Sequence, residues 1–164
     1  MKYTRIVMHI PDWHNGLSFG QLHETRLLET LSRTMFKSLE EYGVKTSQRA
    51  VAKVGESNLG LSPCDFVLSL QVRQSKKPMA WQTGAILAGA QMDSAARKMI
   101  ECLNRWGSAQ TSWRQMSTVV ANTEPECILI PFYANGPDSI VYAARMETLG
   151  SELGKSLAKW FVTQ

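Results

Sequence analysis

The hydrophobic positions of the chain follow two different spacings. Short, nearly continuous apolar runs over residues 3–10, 65–72 and 127–133 predict buried strands. A weaker run over residues 79–88 predicts another strand, interrupted at a glycine, and residues 44–46 predict a short one. Strands that are apolar on both faces are typical of a sheet whose two sides are both covered.

Between these runs, apolar residues recur at helical spacing. Residues 21–42 predict the first long helix, with Gly43 at the position of its C-cap. Residues 94–106 predict a second helix, and residues 138–161 predict a third that Asp138 begins as its N-cap. Strands that alternate with helices predict an α/β fold, a three-layer sandwich in which helices flank a mostly parallel sheet.

The composition is that of an ordinary globular protein. Hydrophobic residues make up 44% and charged residues 20% of the chain, and its length predicts a single domain over residues 1–164. The net charge is +4, and no run of like charge exceeds two residues, so we expect no nucleic-acid partner.

No apolar stretch approaches the roughly 18 residues of a membrane span, and the N-terminus lacks a signal-peptide core. We therefore expect a cytoplasmic protein without a membrane segment.

Candidate metal ligands follow the first strand, at the sheet edge where ligands bind in α/β folds. Asp12 and His14 lie in the loop, and His23 and Glu24 open the first helix. Imidazole and carboxylate groups bind zinc, and a zinc hydrolase needs about three such ligands with an open position for water. The residues alone offer His14 and Glu24, with His23 as an alternative. A loop histidine and a surface glutamate without a metal explain the same pattern.

Several short patterns occur in the order of a known enzyme family. WHNG (residues 13–16) follows the first strand, Glu24 opens the long helix, and LEEYGVKT leads out of it. The segment CDFVLSLQVRQS follows, and NTEP later leads into ECILIPFYANGPD. In these features the chain resembles the zinc-dependent N-acetylmuramoyl-L-alanine amidases, which cut the bond between muramic acid and the first alanine of peptidoglycan. The resemblance implies the amidase fold over almost the whole chain.

The resemblance also implies a zinc cofactor, with His14 and Glu24 as ligands and Gln71 at the position of the third ligand. In the family that third ligand is a histidine, and a catalytic glutamate lies near residues 129–131, which are Leu-Ile-Pro here. A neutral amide oxygen is a poor zinc ligand beside imidazole. A missing carboxylate removes the group that would activate water.

These departures predict a degenerate amidase-like domain with a binding, regulatory or structural role. Trp13, Asn15 and Arg73 are the expected ligand-binding residues, and Arg73 favours a peptidoglycan fragment or an anionic small ligand. The alternative is an active zinc amidase with a rearranged metal site, such as a cell-wall hydrolase or phage lysin. A third hypothesis is an interaction protein that forms a homo-oligomer. The apolar residues Leu157, Trp160 and Phe161 of its last helix would then pack on a partner, and the alternative is that they pack on the chain's own core.

Overall fold

A six-stranded sheet lies at the centre of the computed structural model, which describes residues 3–10, 18–19, 22–49, 64–73, 82–88, 93–105, 110–115, 127–136 and 139–164. The strands are β1 (Arg5–His9), β2 (Ser18–Phe19), β3 (Leu22–His23), β4 (Thr46–Arg49), β5 (Asp65–Leu70), β6 (Gln82–Ala88), β7 (Gln110–Gln115) and β8 (Cys127–Ile130). The large sheet has the order β4-β1-β5-β8-β6-β7, and the two-residue strands β2 and β3 pair separately.

The sheet is mostly parallel. Strand β1 runs parallel to both β4 and β5, and β5 runs parallel to β8. Strand β6 is antiparallel to β8 but parallel to β7, so the sheet has one antiparallel junction. The predicted α/β class with a mostly parallel sheet flanked by helices is confirmed.

Four helices complete the described structure: α1 (Glu24–Glu41), α2 (Asp93–Leu103), α3 (Ser139–Ala144) and α4 (Met146–Val162). Helix α4 packs between α1 and α2, and the Ser38 hydroxyl of α1 donates to Ser151 Oγ of α4 at 3.3 Å. Together with one face of the sheet they enclose the main core. Val7 and Val67 on the opposite face are buried as well, as a three-layer arrangement requires. Among the described helices, none combines the length and the apolar character needed to cross a bilayer.

The observed elements differ from the predicted ones mainly at their ends. Helix α1 ends as predicted, with Gly43 at a φ of 74°, a conformation that favours glycine. Strand β4 begins at Thr46, where the prediction ended its strand. The predicted last helix is two helices separated at Arg145, and Asp138, its predicted cap, lies outside the described residues. The Tyr142 hydroxyl of α3 donates to the Leu103 carbonyl oxygen at 2.8 Å, which ties this short helix to α2.

The apolar residues of the last helix contact the chain's own core. Leu157 and Phe161 are buried, and Trp160 is half-buried with its indole N–H donating to Ser94 Oγ at 2.8 Å. Trp160 also lies against Phe66 of β5, with ring centroids 5.6 Å apart. These side chains therefore stabilise the fold internally, and homo-oligomer formation stays a prediction.

Candidate functional site

The topology brings several of the predicted site residues to one edge of the sheet. Strands β1, β5 and β8 are parallel, so their carboxyl ends lie at the same edge. Helix α1 connects β1 to its parallel neighbour β4, so it runs in the opposite direction and begins at that edge. Glu24, Gln71 and Arg73 therefore share the carboxyl edge, where α/β folds bind their ligands. Trp13, His14 and Asn15 lie outside the described residues.

Glu24 is the buried acidic residue of this edge. It is the first residue of α1 and is only 7% exposed, whereas the preceding residue, His23, is exposed. The N-terminal position is favourable for a carboxylate because the helix dipole is positive there. Of the two candidates at the start of the helix, Glu24 is thus the side chain that the fold directs inward.

Gln71 follows the last residue of β5 and is held on two sides. Its backbone N–H donates to the Leu129 carbonyl oxygen of β8 at 3.0 Å. Its side-chain Nε2 donates to Ser69 Oγ, also at 3.0 Å, and the glutamine is 4% exposed. The residue that the resemblance assigns to the position of the third zinc ligand is therefore buried and hydrogen-bonded to a neutral hydroxyl.

Arg73 lies two residues further on and extends the pairing of β5 with β8. Its carbonyl oxygen accepts a hydrogen bond from the Ala134 N–H at 2.8 Å, and Arg73 pairs with Tyr133 in an isolated parallel bridge. The last pair of the two strands is Leu70 with Leu129. Between this pair and the Arg73–Tyr133 bridge, the two residues 71–72 lie opposite the three residues 130–132. The extra residue forms a bulge in the segment that contains Pro131. The Arg73 side chain is half-buried.

The same bulged segment contains the residues that the resemblance assigns to the region of the catalytic glutamate. Ile130 and Pro131 are both buried. Strand β6 approaches this backbone closely at Gly84, because a Cβ there would collide with the Ile130 carbonyl and lie 2.7 Å from the Pro131 carbonyl oxygen. Apolar side chains and the neighbouring strand therefore fill this part of the edge.

The described residues do not fit a catalytic zinc centre. No group of three or more histidine, cysteine, aspartate or glutamate side chains that could hold a metal occurs among them. Glu24 is a suitable zinc ligand, but the amide of Gln71 could offer only a neutral carbonyl oxygen, which is a poor zinc ligand beside imidazole. His14 would add one imidazole, and the set would still lack the second imidazole that the amidase resemblance implies.

Several polar residues of β1 and β5 lie deeper in the sheet than the carboxyl edge, and the sequence patterns did not predict them as site residues. Ser69 of β5 is fully buried and lies in register with His9 of β1, whose Nε2 is also buried. At the other end of the same face, Arg5 Nε donates to Asp65 Oδ1 at 3.0 Å, and this hydrogen bond raises the pKa of the Arg5 guanidinium. The signal for these residues was the period-two alternation along β1 and β5, which places them all on one face.

Comparison with solved structures gives the class of fold. No family model matches the sequence, and no curated protein matches it either. The structure is similar to the N-acetylmuramoyl-L-alanine amidase AmiC2 of Nostoc punctiforme, at 12% identity and a TM-score of 0.67, over 99% of this chain and 98% of that one. It is also similar to the catalytic domain of the CD27L endolysin targeting Clostridia difficile, at 12% identity and a TM-score of 0.70, over 96% and 98%.

A third similar structure is the CwlD amidase from Clostridioides difficile, solved in complex with the GerS lipoprotein. It matches at 8% identity and a TM-score of 0.65, over 98% of each chain. The chain therefore has the fold of the N-acetylmuramoyl-L-alanine amidases, and the fold implied by the resemblance of its sequence is confirmed.

Proposed function

We propose that this chain is a degenerate N-acetylmuramoyl-L-alanine amidase that has lost hydrolysis and binds a peptidoglycan fragment or an anionic small ligand. The observation that carries the proposal is the environment of Gln71. An amide that is 4% exposed and bonded through Nε2 to Ser69 Oγ stands where an active enzyme needs an imidazole. Neutral amides bind zinc weakly, so two strong ligands, His14 and Glu24, would remain for the metal.

The apolar segment at Ile130 and Pro131 supports the same proposal. Hydrolysis of an amide by a zinc enzyme needs a group that activates water and stabilises the charge that develops in the transition state. Both residues are buried and apolar, and Gly84 packs against their backbone.

The binding role rests on the polar groups that remain at the edge. Arg73 is a permanent cation that pairs well with carboxylate or phosphate. Trp13 and Asn15 are proposed to contact the ligand beside it, Trp13 by stacking on a sugar or peptide plane. A zinc ion held weakly by His14, Glu24 and Gln71 is compatible with this role and does not restore the missing catalytic carboxylate.

The test is a hydrolysis assay with purified peptidoglycan, run with and without added zinc beside an active amidase of the same fold. We expect no release of stem peptides from the wild-type chain, and less than one equivalent of tightly bound zinc by elemental analysis. Zinc-dependent hydrolysis that His14→Ala abolishes would overturn the proposal and establish an active amidase with a rearranged site. Binding is measured separately, by calorimetry with N-acetylmuramoyl-L-alanine, and Arg73→Ala is expected to weaken it.

A further inference from the structure

Gln71 directs one particular polar atom toward the carboxyl edge of the sheet. Its Nε2 is held by Ser69 Oγ, and Ser69 lies two residues earlier on β5 and therefore deeper in the sheet. Because a carboxamide is planar, with oxygen and nitrogen on different sides of its carbon, holding Nε2 inward turns Oε1 outward. Within the part of the chain that the structure describes, no hydrogen bond to this Oε1 is found.

Once a bound ligand covers this Oε1 and excludes water from it, the acceptor selects its ligand by the cost of being left without a donor. Removing a carbonyl oxygen from water without supplying a donor is unfavourable, whereas a ligand N–H or O–H compensates the loss. A ligand group that is itself only an acceptor would be repelled. Such an acceptor therefore favours a secondary amide, which has an N–H, over the corresponding N-methylated amide, which has none.

We propose that Gln71 Oε1 accepts a hydrogen bond from the alanine amide N–H of the bound peptidoglycan fragment, and that Ser69 is a positioning residue that fixes the orientation of the Gln71 amide. This inference rests on the proposed function, since it concerns the same ligand. Arg73 lies two residues beyond Gln71 and can donate to a carboxylate. An acceptor next to a cation matches an acylated amino acid with a free carboxylate, which is the chemistry of N-acetylmuramoyl-L-alanine.

The experiment compares two probes that differ in one group. One is N-acetylmuramoyl-L-alanine, and the other carries a methyl group on the alanine nitrogen, which removes the N–H donor. Calorimetry of the wild-type chain is expected to show about three- to tenfold tighter binding of the first probe, the range for one hydrogen bond between neutral groups. Gln71→Met keeps the length of the side chain but removes the acceptor, so this preference should disappear. Gln71→Glu keeps an acceptor and should keep the preference.

The role of Ser69 is tested by the same ratio of affinities. Ser69→Ala frees the amide to rotate and is expected to reduce the preference, whereas Ser69→Thr retains the hydroxyl and should restore it. A general loss of stability would weaken both probes alike and leave the ratio unchanged. Should Gln71→Met fail to fold, equal binding of the two probes to the wild-type chain still overturns the inference, and the two Ser69 variants still test the orientation of the Gln71 amide.

The outcomes separate this inference from the proposed function. Equal binding of the two probes to the wild-type chain, unchanged in Gln71→Met, would overturn the role of Gln71 and leave the proposed function intact. Absence of binding of either probe would overturn the proposed function and this inference with it. Tighter binding of the methylated probe would show that the amide nitrogen, and not the oxygen, faces the ligand, which also contradicts the inference.

Discussion

The two faces of the central strands β1, β5 and β8 differ in chemistry although one backbone builds both. The face toward helices α1, α2 and α4 is apolar throughout, and its buried side chains are Ile6, Met8, Phe66, Leu68, Leu70, Cys127 and Leu129. The opposite face carries valines and isoleucines too, but alternates them with the polar residues Arg5, Asp65, His9, Ser69 and Gln71.

The difference indicates which face contributes most to stability and which face carries the polar groups of the proposed site. Burying apolar area is the main source of stability, whereas a buried polar group contributes little net stability even when its hydrogen bonds are made. Asp65 is paired with Arg5, and Gln71 is hydrogen-bonded to Ser69. These bonds compensate the cost of burying the polar groups but add little to the free energy of unfolding. The polar residues at the carboxyl end of this face lie beside the candidate site, where they are available for hydrogen bonds to the proposed ligand.

Removing the same type of side chain from each face measures directly how much each face stabilises the fold. Ile6→Ala opens a cavity in the main core, where Ile6 is fully buried, and is expected to cost about 4 kcal/mol of unfolding free energy. Ile128→Ala is the matched change on the other face, in a small cluster with Ile130, and should cost about 2 kcal/mol. Urea denaturation followed by circular dichroism measures both. Equal losses would show that the two faces stabilise the fold alike.

The next largest effect is expected where β6 approaches the bulged segment of β8. Gly84→Ala places a methyl group against the Ile130 and Pro131 carbonyl groups, and relieving the overlap requires movement of backbone. We expect a loss of about 2–3 kcal/mol, measured as a shift of the urea midpoint. Gly43→Ala is the control: its Cβ meets nothing within 4 Å, and only the φ of 74° is strained, at about 1 kcal/mol. A tolerated Gly84→Ala would show that this part of the edge is open.

The apolar runs and helical repeats of the chain contain enough information for the class of fold. Residues 65–70 and 127–130 are buried at every position, and a continuous apolar run is the clearest signature of such a strand. Strand β7 was missed because its sequence, QTSWRQ, has no apolar pattern at all. The break at Arg145 was missed because residues on both sides of it continue a helical spacing.

The candidate site could be predicted only in part, for a physical reason. Glu24 is a candidate from residue types alone and Gln71 from the resemblance to the amidases, and the fold brings both to the carboxyl edge of the sheet. The bulge at Pro131 and the approach of Gly84 depend on how strands far apart in the chain are paired. The hydrogen bond from Gln71 Nε2 to Ser69 Oγ depends on the rotamers of both side chains. None of these leaves a periodic signal in the sequence.

A smaller effect is expected at the ion pair on the polar face. Asp65 is 3% exposed while its partner Arg5 is 35% exposed, so only one of the two charges is fully desolvated. Asp65→Asn is expected to cost about 1–2 kcal/mol, less than the loss for a fully buried pair because water still solvates Arg5. Glu147→Gln removes the exposed pair with Arg33 and should cost less than about 0.5 kcal/mol. Similar losses for the two variants, in parallel thermal unfolding experiments, would mean that burial of Asp65 is of no consequence.

The smallest effect is a pH dependence that arises in the helical layer, at Cys102 of α2. Burial raises the pKa of this thiol above its ordinary value, and a hydrogen bond from Arg105 opposes the rise only in part. Above the ordinary thiol pKa the unfolded chain loses the proton while the folded chain keeps it, so the stability must fall as the pH rises. The slope of the free energy of unfolding against pH is at most about 1.4 kcal/mol per pH unit for one group.

Urea titrations at alkaline pH should show this slope in the wild-type chain and in Cys64→Ala, which removes a thiol elsewhere, but not in Cys102→Ala. An unchanged slope in Cys102→Ala would assign the alkaline loss to another group.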